Sequence, residues 1–570
     1  MPASESSETM REPSPYRGRV RSSSFSDRIN HLDEVEAQSR YEEETADRGI
    51  GALHNIRSRT RSRTNEVLIN WELDDPENPY NWSATRKNLI LFYTAILVIN
   101  STMGSALPSM AIPDIVDYFG VTSEAQHVLP ISVYLIGYVF GPVFWGPLSE
   151  HYGRRDLSFV TFGLFTIFTM ACALAPTWPA LLIFRFFCGV FASSPIAIVA
   201  GILADVYNDP RTRGRAFAIF MVCTTGGPIL SPIISGFAGP SIGWRWVFWI
   251  GLIVAGATLV LVALLPETYG PILLSRRARK IRKADPASRA IAPRDLETTD
   301  LNQLLTVVLT RPIRMFIFEP IVTTTCAYLA LVYSIFYMSF QAFPIIFQDV
   351  YGLSPGVTGL AYLPIFGGAV LTLPIFWTWD DILARALARD DSWVRREEYR
   401  RLPLACLGGP LFVISLFWLG WSARDGVPFV VPMLAGIPFG MGFMLIFMAM
   451  LNYLTDAYEI FAASANAASS TCRSFFAVVL PLATTPMFRR LDIPGACSLL
   501  GGLSALMCVI PFVFIWKGPS IRARSRFCIA LRERKEEMQR REDETRARME
   551  RIELREKDND GEKEKEKEFV

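Results

Sequence analysis

The chain is poor in the residues that build catalytic and metal centres. Its 570 residues hold four histidines, His31, His54, His127 and His151, which form no cluster, so a metal centre is not expected. Nine cysteines are scattered, most of them inside apolar stretches, and none has paired or metal-ligand spacing. They read as small buried thiols with no disulfide framework. No G-x-x-x-x-G-K-[ST] loop occurs, so no nucleotide is expected as energy source or cofactor. No serine–histidine arrangement and no cofactor fingerprint stand in the apolar segments, and an enzyme is not expected. The formal net charge of +2 carries no message about nucleic acid, which is not expected as a partner. The first 85 residues are polar and rich in Arg, Ser and Glu, without the apolar core of a secretory signal. The first apolar run is therefore expected to act as its own insertion signal.

What the chain has in abundance is apolar residue, 51% of the total, with a mean hydropathy of +0.26. Charges crowd into residues 1–87, a stretch near 275–314, another near 380–401 and the tail after 517. Between these lie apolar runs of roughly 20 residues, each long enough to cross a hydrocarbon core of about 30 Å. The expected fold is an all-α integral membrane protein of about twelve spans. The first six lie near 88–112, 127–149, 157–176, 178–204, 216–239 and 246–266. The second six lie near 316–339, 354–379, 402–422, 427–451, 461–487 and 495–517.

The layout then reads as a disordered cytoplasmic arm (1–87), a six-helix half (88–266), a basic cytoplasmic loop (267–315), a second six-helix half (316–517) and a charged cytoplasmic tail (518–570). The central loop carries Arg276, Arg277, Arg279, Lys280, Arg282 and Lys283. Placing the amino terminus inside brings this loop, Arg154/Arg155, Arg211/Arg213/Arg215 and Arg395/Arg396/Arg400/Arg401 to the cytoplasmic side. Arg489 and Arg490 run against that bias. Both termini are expected inside, and the sequons at Asn81 and Asn100 are expected to stay unglycosylated. In the arm, Arg21-Ser-Ser-Ser-Phe25 fits a basophilic phosphosite, which makes kinases candidate partners. The tail after Arg522 alternates Arg/Lys with Glu and lacks an apolar heptad, which suits a solvated helix better than a coiled coil.

The most informative run is Gly146-Pro-Leu-Ser-Glu150-His-Tyr-Gly153-Arg154-Arg155, between two apolar stretches. It fits G-x-L-x-[DE]-x-x-G-R-[RK] and resembles the loop between the second and third helices of major facilitator superfamily transporters. Further segments resemble the fungal twelve-span drug:proton antiporters of that superfamily. They are Trp71 to Ser83 before the first span, Arg185-Phe-Phe-Cys-Gly189, Gly227-Pro228-Ile-Leu-Ser231-Pro232-Ile-Ile-Ser-Gly236, Trp244 to Trp249, Pro266-Glu267-Thr268-Tyr269 and Asn452 to Tyr458. Ser231-Pro232 stand where a glycine pair is common. The resemblance runs from about Trp71 to Trp516 and implies two pseudo-symmetric six-helix halves.

The same resemblance assigns expected roles. Gly146, Glu150, Gly153, Arg154, Arg155 and Asp205 would form a conformational latch, with Asp205 pairing with Arg154 and Glu150 replacing the usual aspartate. Arg185 would serve proton coupling, by acting on a nearby carboxyl, since a guanidinium keeps its proton and a charge inside a span is costly. Glu319 is either the protonatable carboxyl or a helix-start carboxylate beside Pro320. Pro228 and Pro232 remove backbone donors and bend the fifth span, while Gly227 and Gly236 permit close packing. Candidate cavity residues are Tyr333, Tyr337 and Gln341, which share one helical face, with Asn100, Asn452 and Asn466. Arg473 is a second cation within a span.

These residues imply proton-coupled secondary active export of small, mostly apolar or weakly anionic organic compounds by alternating access. Drugs, xenobiotics or one secondary metabolite would be carried. Polyamine export and proton-coupled uptake are alternatives on the same scaffold, and a transporter-like membrane sensor is the reading from another class. The scarcity of acids within the spans argues against polyamines. The expected partners are substrate, protons and the lipid bilayer, with a monomer in the plasma membrane.

Overall fold

The computed structural model describes residues 67–533, apart from 73, 286–287, 289, 297–300, 395, 526 and 530, together with residues 536 and 540. The phosphosite near Arg21 and the tail beyond these positions lie outside the described residues. The described part is helical almost throughout. Its spans are α1 (Ala84–Ala106), α2 and α3 (Leu129–Val139 and Gly141–Tyr152), α4 (Arg154–Ala173), α5 and α6 (Trp178–Ala192 and Ser194–Val206), α7 (Pro210–Ile242) and α8 (Trp244–Ala263). After a surface helix α9 (Gly270–Ala284) come α10 (Leu301–Phe318), α11 (Pro320–Phe343), α12 and α13 (Pro355–Leu360 and Leu363–Ala388), α14 (Glu397–Ser422), α15 (Gly436–Tyr458), α16 (Ala462–Val479) and α17 (Thr484–Arg522).

Among the described residues, ten helical runs are long and apolar enough to cross a membrane, and an eleventh is the α2/α3 pair, bent by 52°. The run Ala462–Arg522 is 61 residues long, about 90 Å at 1.5 Å per residue, far more than one crossing needs. It turns at Asp492, where φ is 54° and ψ 176°, so it contains two crossings. That gives twelve. Turns between successive spans within each half are mostly short, while α9 and α10 fill the stretch between α8 and α11. One end of the bundle gathers Arg154, Arg211, Arg277 and Arg401, and is called here the arginine-rich end.

Two large apolar cores form among the described residues, beside two small clusters. One is built from the first six spans, around Leu97, Phe162, Phe165, Ile202 and Phe248. The other is built mainly from the second six, around Tyr328, Phe336, Tyr362, Phe443 and Tyr453. Exposed apolar side chains such as Val260, Leu264, Leu506 and Trp516 face outward, as lipid-facing helices require.

The boundary of the disordered arm needs correcting. Ile69 and Trp71 pack on Leu274, Ala278 and Ala292, the Ile69 amide donates to the Ile291 carbonyl at 2.9 Å, and buried Asp75 pairs with Arg277. Order therefore begins well before residue 87. The reason is that the polar segment contains a Trp and an Ile that find an apolar surface on α9. The central loop is likewise mostly helix, since α9 and α10 occupy much of it.

Candidate functional site

At the arginine-rich end the loop from Gly146 to Arg155 turns between α3 and α4. Gly153 has φ 108° and ψ 150°, a conformation open only to glycine at low cost. A Cβ there would run into Oε2 of Glu267. Glu267 is 6% exposed, and its Oε1 accepts the amides of Arg154, Thr268 and Tyr269, each at 3.0 Å. Its Oε2 accepts the Arg155 amide at 3.4 Å. The carboxylate thus caps the start of α4, where unpaired N–H groups and the helix dipole favour negative charge. Its local signal was the Pro266-Glu267-Thr268-Tyr269 run, to which the sequence alone attached no role.

The Arg154 side chain is buried and its Nε donates to Asp205 Oδ2 at 3.2 Å. It also reaches Ser149 Oγ and lies over the Tyr269 ring at 4.9 Å. Glu150 stands 3.6 Å from Arg154, but its side chain is 58% exposed, so water screens that pair. Arg155 turns away and donates to the Ala263 carbonyl at 3.1 Å; it pairs with no acid in this cluster. Gly146 has open space where a Cβ would stand, so no close approach depends on it. The backbone at Gly201 does depend on glycine, since a Cβ there would meet the Arg154 guanidinium.

Arg185 is 2% exposed. Its Nε donates to the Pro130 carbonyl at 2.7 Å, and its terminal nitrogens donate to the carbonyls of Gly104 and Ser105 at 2.7 and 2.8 Å. The Tyr134 ring lies 4.5 Å from it. Among the described residues no carboxylate pairs with it. The expected neighbouring carboxyl is therefore missing, because the surrounding spans carry no acid; carbonyl oxygens satisfy the charge instead. Glu319 is far from Arg185 in the chain's layout, at the start of α11. It is 1% exposed and accepts from the Tyr458 hydroxyl at 2.8 Å. It makes no side-chain cap bond to its own helix.

In α7, Pro228 and Pro232 lie inside one continuous helix of 33 residues. The Ser231 hydroxyl donates to the Met103 and Gly227 carbonyls at 2.6 and 3.2 Å. Gly227 faces α1, where a Cβ would strike Thr102 and the Ile99 carbonyl. Gly236 faces the other half, where a Cβ would strike the Pro355 carbonyl. In return a Cβ at Gly359 would stand 2.6 Å from the Pro232 carbonyl. The two halves therefore come into backbone contact along α7 and α12, away from the arginine-rich end.

Between the halves, the Ser105 and Tyr337 hydroxyls are 3.0 Å apart, and Tyr333 donates to Tyr337 at 3.5 Å. Arg473 lies over the rings of Tyr333 and Phe447 at 5.1 and 5.3 Å. Gln341 continues the same face of α11, and its buried Oε1 has no hydrogen-bond partner. The asparagines do not join this group. Asn100 donates to Thr258 at 2.9 Å inside the first half, where it lines a small cavity with Gly104, Arg185, Phe248 and Gly251. Asn466 donates to Thr455 at 3.0 Å, near the ends of α15 and α16. Asn452 is half-buried, three residues before Thr455 on α15.

Ser101, Tyr134 and Tyr138 were not singled out from the sequence. They hold the Arg185 region together, with Tyr134 donating to the Ser101 carbonyl at 2.7 Å and the Ser101 and Tyr138 hydroxyls 2.9 Å apart. Arg211 and Arg215 both reach Asp381 Oδ1, the latter at 2.9 Å, and join α7 to α13 across the halves at the arginine-rich end. At the opposite end Arg489 pairs with Glu124 at 2.6 Å, which gives the misplaced arginine a partner.

The Major Facilitator Superfamily family model matches residues 94–481. The MFS-type efflux pump MFS2 of Trichophyton rubrum is 37% identical over 465 residues, covering 81% of this chain and 77% of the relative. Polyamine transporter 3 of Saccharomyces cerevisiae is 34% identical over 462 residues, 80% of this chain and 72% of the relative. A solved structure of the proton:xylose symporter XylE aligns with a TM-score of 0.54 at 18% identity, over 76% of this chain and 96% of XylE. At that identity the likeness concerns the fold alone. The chain belongs to the major facilitator superfamily of membrane transporters.

Proposed function

We propose that the chain is a proton-driven exporter of small, mostly apolar or weakly anionic organic compounds, working by alternating access. One observation carries this reading. A continuous set of contacts, from the Arg185 guanidinium to the Ser105 carbonyl and from the Ser105 hydroxyl through Tyr337 and Tyr333 to Arg473, crosses from one half to the other. It offers aromatic surface, hydroxyls and two guanidinium groups, with no acid among its members. Aromatic walls suit flat, mostly apolar compounds, and the cations suit a neutral or anionic group in preference to a polyamine.

The latch residues Arg154 and Asp205, steadied by Glu267, would hold the arginine-rich end in one state. Arg185 would respond to proton movement through the carbonyl and ring contacts it makes. Glu319, buried and accepting from the Tyr458 hydroxyl, is the carboxyl assigned the coupling role. The arginine-rich end is assigned to the cytoplasm by the positive-inside bias, in the plasma membrane, with the protein acting as a monomer and without a nucleotide.

The test is accumulation in an efflux-deficient yeast expressing the full chain, with drugs, aromatic acids and spermidine, with and without a protonophore. Lower accumulation of neutral or acidic compounds, abolished by the protonophore, supports the reading. Lower accumulation of spermidine alone would transfer the chain to the polyamine class, which the 34% identical yeast relative keeps in view.

A further inference from the structure

The two guanidinium groups within the spans are in different chemical states. Arg185 is spent, with three carbonyl acceptors within 2.8 Å. Arg473 is not. Its one hydrogen-bond partner among the described residues is Ser470 Oγ, at a long 3.4 Å on the same helix. Its Nε is buried and has no acceptor, and no carboxylate among the described residues pairs with it. Two ring faces are what it meets, Tyr333 and Phe447. Arg473 stands about 16 Å from the start of α16 at 1.5 Å per residue, near the middle of a crossing. A charge at that depth calls for a partner, and a guanidinium presents a planar fork that matches a carboxylate with two parallel hydrogen bonds.

The surroundings add a shape. Phe447 stacks on Phe443, with centroids 4.5 Å apart and planes at 25°. Tyr333 tilts against both Tyr337 and Phe447. Arg473 and Tyr333 are both half-buried, so they retain accessible surface although they lie within the bundle. The unpartnered Gln341 Oε1 lies on the same helical face as Tyr333, about 12 Å further along α11.

We propose that Arg473, walled by Tyr333 and Phe447, is the anion subsite of the transport cavity, and that it takes a planar aromatic acid as its carboxylate. This rests on the exporter reading and names a substrate class within it. The carboxylate replaces the missing acceptor at Nε and one terminal nitrogen. The aromatic body lies along the Tyr333 and Phe447 rings. A hydroxyl at the far end of a longer substrate would donate to Gln341 Oε1.

The experiment uses the purified full-length protein in proteoliposomes with an imposed pH gradient. The probes are 1-naphthoate and its neutral counterpart 1-naphthamide. Wild type is expected to move both, with the lower KM for naphthoate. Arg473→Gln is expected to raise the KM for naphthoate about tenfold or more and to leave that for naphthamide within about twofold. Arg473→Lys keeps the charge without the fork and should recover part of the naphthoate preference. Should the glutamine variant fail to fold, Arg473→Lys and Phe447→Leu carry the test. The first must lower the acid preference, and the second must weaken both probes alike.

Equal losses for acid and amide in Arg473→Gln would overturn the subsite while leaving the exporter reading intact. So would gradient-driven transport of naphthamide without naphthoate by wild type. No gradient-driven transport of either probe, or of any compound that lowers accumulation in yeast, would remove the exporter reading and the subsite together.

Discussion

Replacing Gly153 by alanine tests whether the glycine and Glu267 form one device. Two costs are expected from the geometry. The first is backbone strain at φ 108° and ψ 150°, about 1–3 kcal/mol for a residue with a Cβ. The second arises because that Cβ occupies the position of Glu267 Oε2. The carboxylate must shift, which disturbs the bonds at 3.0 and 3.4 Å to the Arg154 and Arg155 amides. Loss of such a cap costs about 1–2 kcal/mol. Gly153→Ala should therefore destabilise by roughly 2–5 kcal/mol in total.

Glu267→Ala alone should incur the cap term and no strain. In the double variant the cap is already gone and the new methyl meets no carboxylate. The double loss should then fall short of the summed single losses by about 1–2 kcal/mol. The measurement is a double-mutant cycle on denaturant unfolding of the purified protein in mixed micelles, with transport followed in parallel. Turnover should fall more than substrate affinity in each variant. Additive losses, within about 0.5 kcal/mol, would refute the claim that Glu267 is what Gly153 makes room for.

Asp381→Asn removes the partner of both Arg211 and Arg215. Exposed pairs contribute little each because water screens them, so the arginine-rich end should open more often by about a few-fold, read as faster labelling of a cysteine placed near residue 215. Arg185→Ala leaves three carbonyls without their donor and should abolish proton-driven efflux, with Arg185→Lys recovering little because one ammonium cannot span the three; unchanged efflux would remove Arg185 from the mechanism. Tyr337→Phe deletes the hydroxyl that meets Ser105 across the halves, and should alter relative transport rates among substrates; a uniform loss would indicate misfolding. Asp209 caps α7 through the Thr212 amide at 3.0 Å, and that bond holds its carboxyl below the usual carboxylate range. A depressed folded pKa means the cap is present at neutral pH and lost only as pH falls through that lowered value, so the protection of the Arg211 to Arg213 amides, measured against their intrinsic exchange rate at each pH, should stay constant from pH 7 to 5. Asp209→Ala should accelerate that exchange throughout, whereas Asp209→Asn should not.

Much of the fold was readable because a bilayer imposes length and polarity on every span. Apolar runs near 88–112 or 402–422 announce helices whatever their partners. Boundaries failed where packing is tertiary. Trp71 looked like part of a polar linker until α9 supplied Leu274 and Ala278 to bury it. The candidate site was half readable. Tyr333 and Tyr337 share a face by spacing alone, but that they meet Ser105 depends on how α1 lies against α11. Asn100 and Asn466 were polar residues in apolar runs, and that pattern does not distinguish a ligand contact from a bond to Thr258 or Thr455. Glu267 was invisible as a cap of α4 because the amides it caps there, at 154 and 155, are more than a hundred residues away.

The second half repeats one element of the first, and the difference between the two bears on how the halves would move. Arg154 at the start of α4 pairs with Asp205 at the end of α6, 51 residues on. Arg401 near the start of α14 pairs with Asp456 near the end of α15, 55 residues on, at 2.9 Å. Both pairs join consecutive spans of one half at the arginine-rich end, so each half is tied to itself there. The side chain of Arg154 is 7% exposed and also held by Ser149 and the Tyr269 ring, whereas that of Arg401 is 28% exposed. The first pair resists solvent competition and the second shares its charge with water. Across the halves, the arginine-rich end is joined through the half-exposed Asp381 pairs. The other side is joined by backbone contact at Gly236 and Gly359, where no side-chain rotation can relieve separation. Rocking about that contact opens the arginine-rich end first, at the cost of two screened ion pairs. Substituting Gly359 by valine should therefore push the halves apart on the closed side and admit label from both ends, an outcome that loosening the Asp381 pairs cannot produce.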